Sequence, residues 1–305
     1  MNMRIVSLEP ALTETLCYFG LEASLVGVSH RCDYPEAALK LPRVTSARSG
    51  SDGTLRSSLS EDLVDVGALV ALRPDVIVTR IEDALGTDTN VRRAREMVAA
   101  QIGSEVRLYS YAPTTLEQVY ASFEQLGKDL KVPGPGHDVS QKLKAEFMNW
   151  GDNFYERMKN KRVTFLAGVD PFVLAGYWIP DMIHLASATS QVRMGGEDSL
   201  VVQWKDIADF KPDVIVVAPI GQTLKESMKN FFKLEKMPGW EDLPAVKRGE
   251  VIFCDGRDHF YRASPRLRES MAIMVSAIAG LESGYITVRD SFHRLRWMEM
   301  QRHKI

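Results

Sequence analysis

His30-Arg31-Cys32-Asp33 places three side chains able to ligate a metal within four consecutive positions, and His259 stands far along the chain in a second polar loop. Three chemistries are open to them. A bare divalent ion could use imidazole, thiolate and carboxylate together, although structural metal sites carry paired short spacings and this chain has neither CxxC nor HxxxH. His30 or His259 could instead approach a metal already held in a chelate, as an axial ligand or hydrogen-bond partner. In the plainest case Asp33 caps the segment that follows and Cys32 is simply buried. Ser7, His30 and Asp33 could also be drawn together as a hydrolytic trio, but nothing in their spacing requires it. The chain lacks a GxSxG elbow, a Walker loop, HExxH, and a GxGxxG after its first strand, so no enzyme is expected.

Aromatic residues accompany these groups. Tyr34, Tyr111, Phe172, Tyr177, Trp178, Phe260 and Tyr261 all follow predicted strands, where they would offer broad flat faces to a large ring system with few hydrogen-bonding points. Each alone is ordinarily a packing residue; their clustering after strands carries the weight. Arg31, Arg80, Arg257 and Arg262 keep an anionic ligand such as a ferric siderophore open.

The elements that position these loops alternate in type. β-Branched runs at Arg4–Ser7, Leu25–Val28, Val76–Thr79 and Val106–Tyr109 are separated by helical apolar spacing at Thr13–Phe19, Glu61–Leu72, Thr89–Gln101 and Thr115–Leu130, with Ser60 as N-cap of the second. Such alternation predicts a mostly parallel sheet, with ligands gathering beyond the carboxyl ends of its strands. The pattern then repeats: Ala71-Leu-Arg-Pro-Asp-Val-Ile-Val78 is echoed by Asp209-Phe-Lys-Pro-Asp-Val-Ile-Val216, and Arg4-Ile-Val-Ser-Leu8 by Arg162-Val-Thr-Phe-Leu166. Val251–Cys254 stands in the second half where Val106–Tyr109 stands in the first. Between the halves, Val132-Pro-Gly-Pro-Gly136 reads as a helix breaker before a long helix from His137 to Asn160. The fold class is therefore α/β, two similar lobes with mostly parallel sheets joined by one long helix. The expected divisions are residues 1–131 for the first lobe, 132–160 for the connecting helix, 161–284 for the second lobe and 285–305 for an amphipathic helical tail.

Composition limits the partners. Lys and Arg total 38 against 40 Asp and Glu, a net charge of −2, so a broad field for nucleic acid or anionic lipid is not suggested and any polyanion would need a local patch. The three cysteines are odd in number and widely spaced, which fits thiols in a reducing compartment. The first strand begins so early that no export signal is expected, giving a cytoplasmic location as written, or a periplasmic or membrane-anchored one if a leader has been removed. A monomer is expected.

From about Arg4 to Gly280 the sequence resembles the cobalamin-binding and iron-siderophore-binding proteins of ABC importers, whose two lobes share one helical spine. The resemblance is carried by Arg4-Ile-Val-Ser-Leu-Glu-Pro-Ala-Leu-Thr-Glu14, Leu25-Val-Gly-Val-Ser-His-Arg-Cys-Asp-Tyr-Pro35 and Leu41-Pro-Arg-Val-Thr45. In the second half it is carried by Ala175-Gly-Tyr-Trp-Ile-Pro180, Pro238-Gly-Trp240, Ala245-Val-Lys-Arg-Gly249 and Arg262-Ala-Ser-Pro-Arg-Leu267. It implies a non-enzymatic receptor without an intrinsic cofactor that holds a cobalamin-like corrinoid in the interlobe cleft and delivers it to an ABC permease. The ligand-binding positions it implies are Glu9, Pro10, His30, Arg31, Tyr34, Phe172, Trp178 and Tyr261, with His30 able to contact a chelated metal axially. Glu82, Asp83 and Glu226 are the implied permease-docking acids. Departures are Arg80-Ile-Glu-Asp-Ala-Leu-Gly86, where many cobalamin-type members carry a cysteine, and Arg262-Ala-Ser-Pro-Arg266, where relatives often have Arg-Pro-Gly-Pro-Arg.

Overall fold

A computed structural model of the protein describes residues 3–47, 62–80, 89–192, 194–287 and 290–295. The chain divides into two compact units: residues 1–113, 121–140 and 263–265, and residues 114–120, 141–262 and 266–305. The division passes through helix Leu116–Asp129 and helix Pro133–Asn153.

In the first unit, strands Leu25–Val28, Ile5–Ser7, Val76–Thr79 and Arg107–Ser110 lie side by side in that order, all parallel. Val76–Thr79 is wholly buried, as expected of a strand covered on both faces, which is why it reads as a continuous β-branched run. Helices Pro10–Tyr18, Val66–Leu72 and Thr89–Ile102 return the chain, and Val6, Leu8, Leu69, Ile77, Val98 and Val106 share one apolar core.

In the second unit Arg162–Val169, Val214–Val217 and Val251–Cys254 form the parallel centre. On one side Phe172–Leu174 pairs antiparallel with Arg162–Val169 and Leu200–Val202 antiparallel with Phe172–Leu174; on the other Phe292–Arg294 pairs antiparallel with Val251–Cys254, and Thr189–Ser190 runs parallel to the start of Arg162–Val169.

The internal echo is a repeated device. Helices Val66–Leu72 and Trp204–Phe210 each end on a basic residue in the left-handed region, Arg73 at φ 45° and Lys211 at φ 51°. The Pro-Asp that follows turns into a buried strand, and the aspartate accepts the backbone N–H of the arginine that opens the lobe. Asp75 Oδ2 takes Arg4 N at 2.7 Å, and Asp213 Oδ2 takes Arg162 N at 3.0 Å. The guanidinium of each arginine then donates to the last helical carbonyl, Arg4 to Leu72 O at 2.8–2.9 Å and Arg162 to Phe210 O at 3.2 Å, satisfying an acceptor that the helix end leaves open.

Three expected elements differ. The helix expected from Glu61 begins only at Val66, capped by Asp65 accepting from Ala68 N at 2.8 Å, because Asp62–Val64 pairs with Thr45–Ala47 as a two-stranded ribbon; Ser60 lies outside the described residues. Val132-Pro-Gly-Pro-Gly136 does not break a helix but starts one: Pro133–Asn153, with the prolines in the first turn, where an absent N–H costs no internal bond. Gly136 is needed there, since a Cβ would sit 2.3 Å from Phe123 O. That helix ends at Asn153, short of the expected Asn160, and a separate turn of helix, Tyr155–Met158, follows. The expected helical tail instead contributes strand Phe292–Arg294; Phe292 and Leu295 are buried, and Trp297 and Met298 lie outside the described residues.

Candidate functional site

The first unit's loops are held by buried hydroxyls. Thr13 Oγ1 donates to Ser7 Oγ at 2.8 Å and lies 3.1 Å from Cys32 Sγ, joining the loop after the first strand to the His30–Cys32 turn. Ser29 Oγ and Thr45 Oγ1 are 2.9 Å apart, and Arg43 donates to Ser29 O at 2.9 Å and Cys32 O at 2.8 Å. The turn is thus pinned from beneath by Arg43 and Thr45, which lie in the Leu41–Thr45 motif but were not singled out from the sequence. Their only early signal was that motif.

Within this frame each group has a defined state. Burial, outweighing the contact with Thr13, pushes the Cys32 thiol up to about 11, so at neutral pH it is protonated and not a thiolate ligand. His30 Nδ1 lies 2.8 Å from Thr45 Oγ1, so contact with a ligand would fall to Nε2. Ser7 is fully buried and donates to Glu9 O at 3.2 Å, and His30 is engaged by Thr45; the structure does not assemble Ser7 and His30 as nucleophile and base. Among the described residues no three His, Cys, Asp or Glu are grouped to hold a metal ion. Glu9 and Pro10 are half-buried where helix Pro10–Tyr18 begins, Glu9 as its N-cap. Arg31 is half-buried and Tyr34 is 47% exposed, so both reach the surface of this loop. Tyr111 is inward, its hydroxyl donating to Asp129 Oδ2 at 2.6 Å. Glu82 and Asp83 lie outside the described residues.

In the second unit the loops after Val214–Val217 and Val251–Cys254 are zipped together. Gly256 N donates to Gln222 O at 2.9 Å and Gly221 N to Gly256 O at 3.2 Å, and a Cβ on Gly256 would meet Pro219 O at 2.2 Å. Asp255 accepts Arg257 N and Asp258 N at 2.9 and 2.8 Å, and Arg257 forms a two-pronged pair with Asp258. Phe260 sits at φ 74°, held by its N–H on Ser270 Oγ and by the Trp178 indole N–H on its carbonyl, both 2.8 Å. The Tyr261 hydroxyl donates to Ala218 O at 2.5 Å. Burial holds the His259 imidazole pKa below its ordinary value, against the pull of the Glu269 carboxylate 3.8 Å from Nδ1; among the described residues Nδ1 has no hydrogen-bond partner.

The aromatic cluster divides. Phe165 and Leu166 are consecutive on one strand and point to opposite faces. Trp178, Phe260 and Tyr261 gather on the Phe165 side, Phe260 against Phe165 at 5.0 Å. Phe172 packs on the Leu166 side against Trp204 at 5.5 Å, and Trp204 against Trp240 at 6.1 Å. Trp178 is only 2% exposed. Its position here is that of a loop clamp, whereas Phe172, Tyr177 and Tyr261 are half-buried. Glu226 is exposed, but its carboxylate accepts Thr223 N and Oγ1 at 2.9 and 2.8 Å, closing a capping box and lowering its pKa.

Tandem α/β units with loop clusters beyond parallel strands match a known protein architecture. The family model described as periplasmic binding protein matches residues 5–257. The chain belongs to the periplasmic binding protein family. A vitamin B12-binding protein of Yersinia pestis is 26% identical over 274 residues, 87% of this chain and 82% of that protein. The solved periplasmic vitamin B12 binding protein of Vibrio cholerae aligns with a TM-score of 0.64 at 18% identity, covering 90% of this chain and 96% of that one. A periplasmic heme binding protein from Pseudomonas aeruginosa aligns at 0.64 and 19%, covering 92% and 94%. As a periplasmic binding protein of the ABC-import class, the chain is a receptor and not an enzyme. Among its described residues no helix is long and apolar enough to cross a membrane.

Proposed function

We propose that this periplasmic binding protein reversibly binds a corrinoid, cobalamin-like chelate on its strand-end loops and hands it to an ABC permease. The observation that carries the reading is the state of the His30–Cys32 turn. A protonated, buried thiol and an imidazole tied through Nδ1 to Thr45 do not supply a coordination shell for a naked ion, whereas a metal already enclosed by a macrocycle needs at most one axial contact. Similarity, at 26% identity, to a protein named for vitamin B12 binding supports the ring system. In this reading Tyr34 and Phe172 offer faces to the ligand, Arg31 and Glu9 meet its polar periphery, His30 is the axial candidate, and Trp178 and Tyr261 hold the loop that presents the site. Glu226, with Glu82 and Asp83, would meet the permease. Family membership supports an extracytoplasmic location. A monomer carries the function.

A second reading, haem in place of corrinoid, is favoured by the neutral imidazole of His259. The two separate in one experiment. Apo-protein is mixed with cyanocobalamin, aquocobalamin or hemin, desalted, and its visible spectrum recorded. Stoichiometric retention of corrinoid, weakened in Tyr34→Ala and Phe172→Ala, is the expected result. Loss of both corrinoids on desalting, with a Soret band retained from hemin, would move the assignment to haem. Retention of none would send it to ferric siderophores and bare ions.

A further inference from the structure

At the amino ends of the second unit's parallel strands, away from the loops described above, positive charge collects. Arg162 and Arg248 share Asp213 at 3.0 and 3.1 Å, Arg294 pairs with Glu250, and Lys159 pairs with Glu156 at 2.7 Å. Lys161 has no carboxylate of its own: its ammonium donates to Ile278 O at 2.6 Å, at the end of helix Leu267–Ala279, where Arg294 also donates to Ser276 O and Ala277 O. Arg157 is exposed and makes no ion pair among the described residues. Burial lowers the pKa of Lys161, and Arg294, Arg157 and Arg248 lower it further, with Asp213 opposing. Among the described residues, six cations therefore stand against Asp213, Glu250, Glu156 and the exposed Asp152 and Glu282, in a chain whose net charge is −2.

Large aromatic side chains border this charge. Tyr155 is 47% and Tyr285 69% exposed, Lys159 Nζ lies 5.5 Å from the Tyr155 ring, and Phe154 meets Tyr285 edge-on at 6.4 Å. A purely structural cap on helix Leu267–Ala279 explains Lys161 and Arg294, but not an unpaired Arg157 beside two outward tyrosines. Basic side chains flanked by amphipathic rings match the region of lipid headgroups, where cations meet phosphates and tyrosine rings sit at the boundary with the acyl chains.

We propose that this surface, formed by Phe154, Tyr155, Arg157, Lys161, Arg248 and Tyr285, attaches the second lobe peripherally to an anionic membrane. An acidic peptide would satisfy the charges but would leave the tyrosines without a role. The test is co-sedimentation of the full chain with vesicles of phosphatidylglycerol and phosphatidylcholine in equal parts, against phosphatidylcholine alone. The expected result is binding to the anionic vesicles only, abolished by high salt. Arg157→Glu, which changes two charges at an exposed position, should weaken it roughly 25-fold at about five-fold per charge. Tyr285→Ser should weaken it too, and both variants should keep the wild-type circular dichroism. Equal sedimentation with neutral vesicles, none with either, or undiminished binding by natively folded Arg157→Glu or Tyr285→Ser would overturn the proposal. Capture of an acidic peptide that is indifferent to Tyr285→Ser, without vesicle binding, would overturn it in favour of a protein partner.

Discussion

Replacing Trp178 by phenylalanine isolates the clamp that fixes the Phe260 turn. The indole N–H donates at 2.8 Å to Phe260 O within a buried setting, and Phe260 is held at φ 74°, a conformation that a bulky residue adopts only when its surroundings impose it. Phenylalanine removes the donor and leaves that carbonyl buried without a partner, which costs about 1–3 kcal/mol. The smaller ring also leaves a void of roughly 40 Å³, which at about 24 cal/mol per Å³ adds about 1 kcal/mol. A destabilisation of about 2–4 kcal/mol is therefore expected, measured as a lowered urea midpoint with unchanged slope. Trp204→Phe is the internal control. Its indole also donates at 2.8 Å, to Pro238 O, but in an exposed setting where water can replace it, so its cost should stay near 1 kcal/mol, about that of a typical hydrogen bond. Equal midpoints for the two variants would refute the reasoning, because the difference rests on the buried carbonyl and the buried void at Trp178, against an exposed bond at Trp204. The corrinoid affinity of Trp178→Phe, measured on the same samples, should fall as the Tyr261 side of the loop relaxes.

Gly136→Ala should destabilise the protein by about 1–3 kcal/mol in chemical denaturation, because the new Cβ would meet Phe123 O at 2.3 Å, whereas Gly134→Ala, with nothing within 4 Å, should be neutral or stabilising by up to about 1 kcal/mol. Cys32 should resist a thiol reagent in the native protein at neutral pH and react only on unfolding, since it is 1% exposed and its pKa is pushed to about 11; mass spectrometry of the labelled peptides checks this. Burial alone would raise the Asp213 pKa, but the side-chain and backbone donors of Arg162, with Arg248, hold it below its ordinary value. Its contribution to stability is therefore complete above the unfolded-state value near ~4 and is lost as pH falls through the lower folded value, so Asp213→Asn should flatten the acid limb of urea midpoint against pH.

Much of the first unit was legible because its signals are local. Three of its strands stand where the β-branched runs put them, and Arg107–Ser110 is displaced by a single residue from the expected span. The binding loops were legible only as segments. Thr13 and Cys32 are 19 residues apart, and Thr45 lies 15 beyond His30, so the hydroxyl frame beneath the turn exists only once the strands are side by side. Phe172 and Trp178 read as one cluster in the sequence because loop position does not reveal which side of a sheet a ring takes.

By itself the sequence indicated the tandem repeat, a mostly parallel sheet in each half and the echoed segments that begin each lobe, because Arg4 with Leu-Arg-Pro-Asp and Arg162 with Phe-Lys-Pro-Asp share the same helix end and strand entry. Tertiary structure decided the rest. Pro-Gly-Pro-Gly became a helix start because Pro133 and Pro135 fall in the first turn, where no internal bond is lost, and Gly136 fits beside Phe123 O, where a Cβ would not. The tail became a strand because Arg294 found Glu250 and the carbonyls of Ser276, Ala277 and Leu281 at the end of helix Leu267–Ala279, and Phe292 and Leu295 found a buried place beside Val251–Cys254. Periodicity describes a residue's neighbours along the chain; an edge strand is specified by the sheet that waits for it.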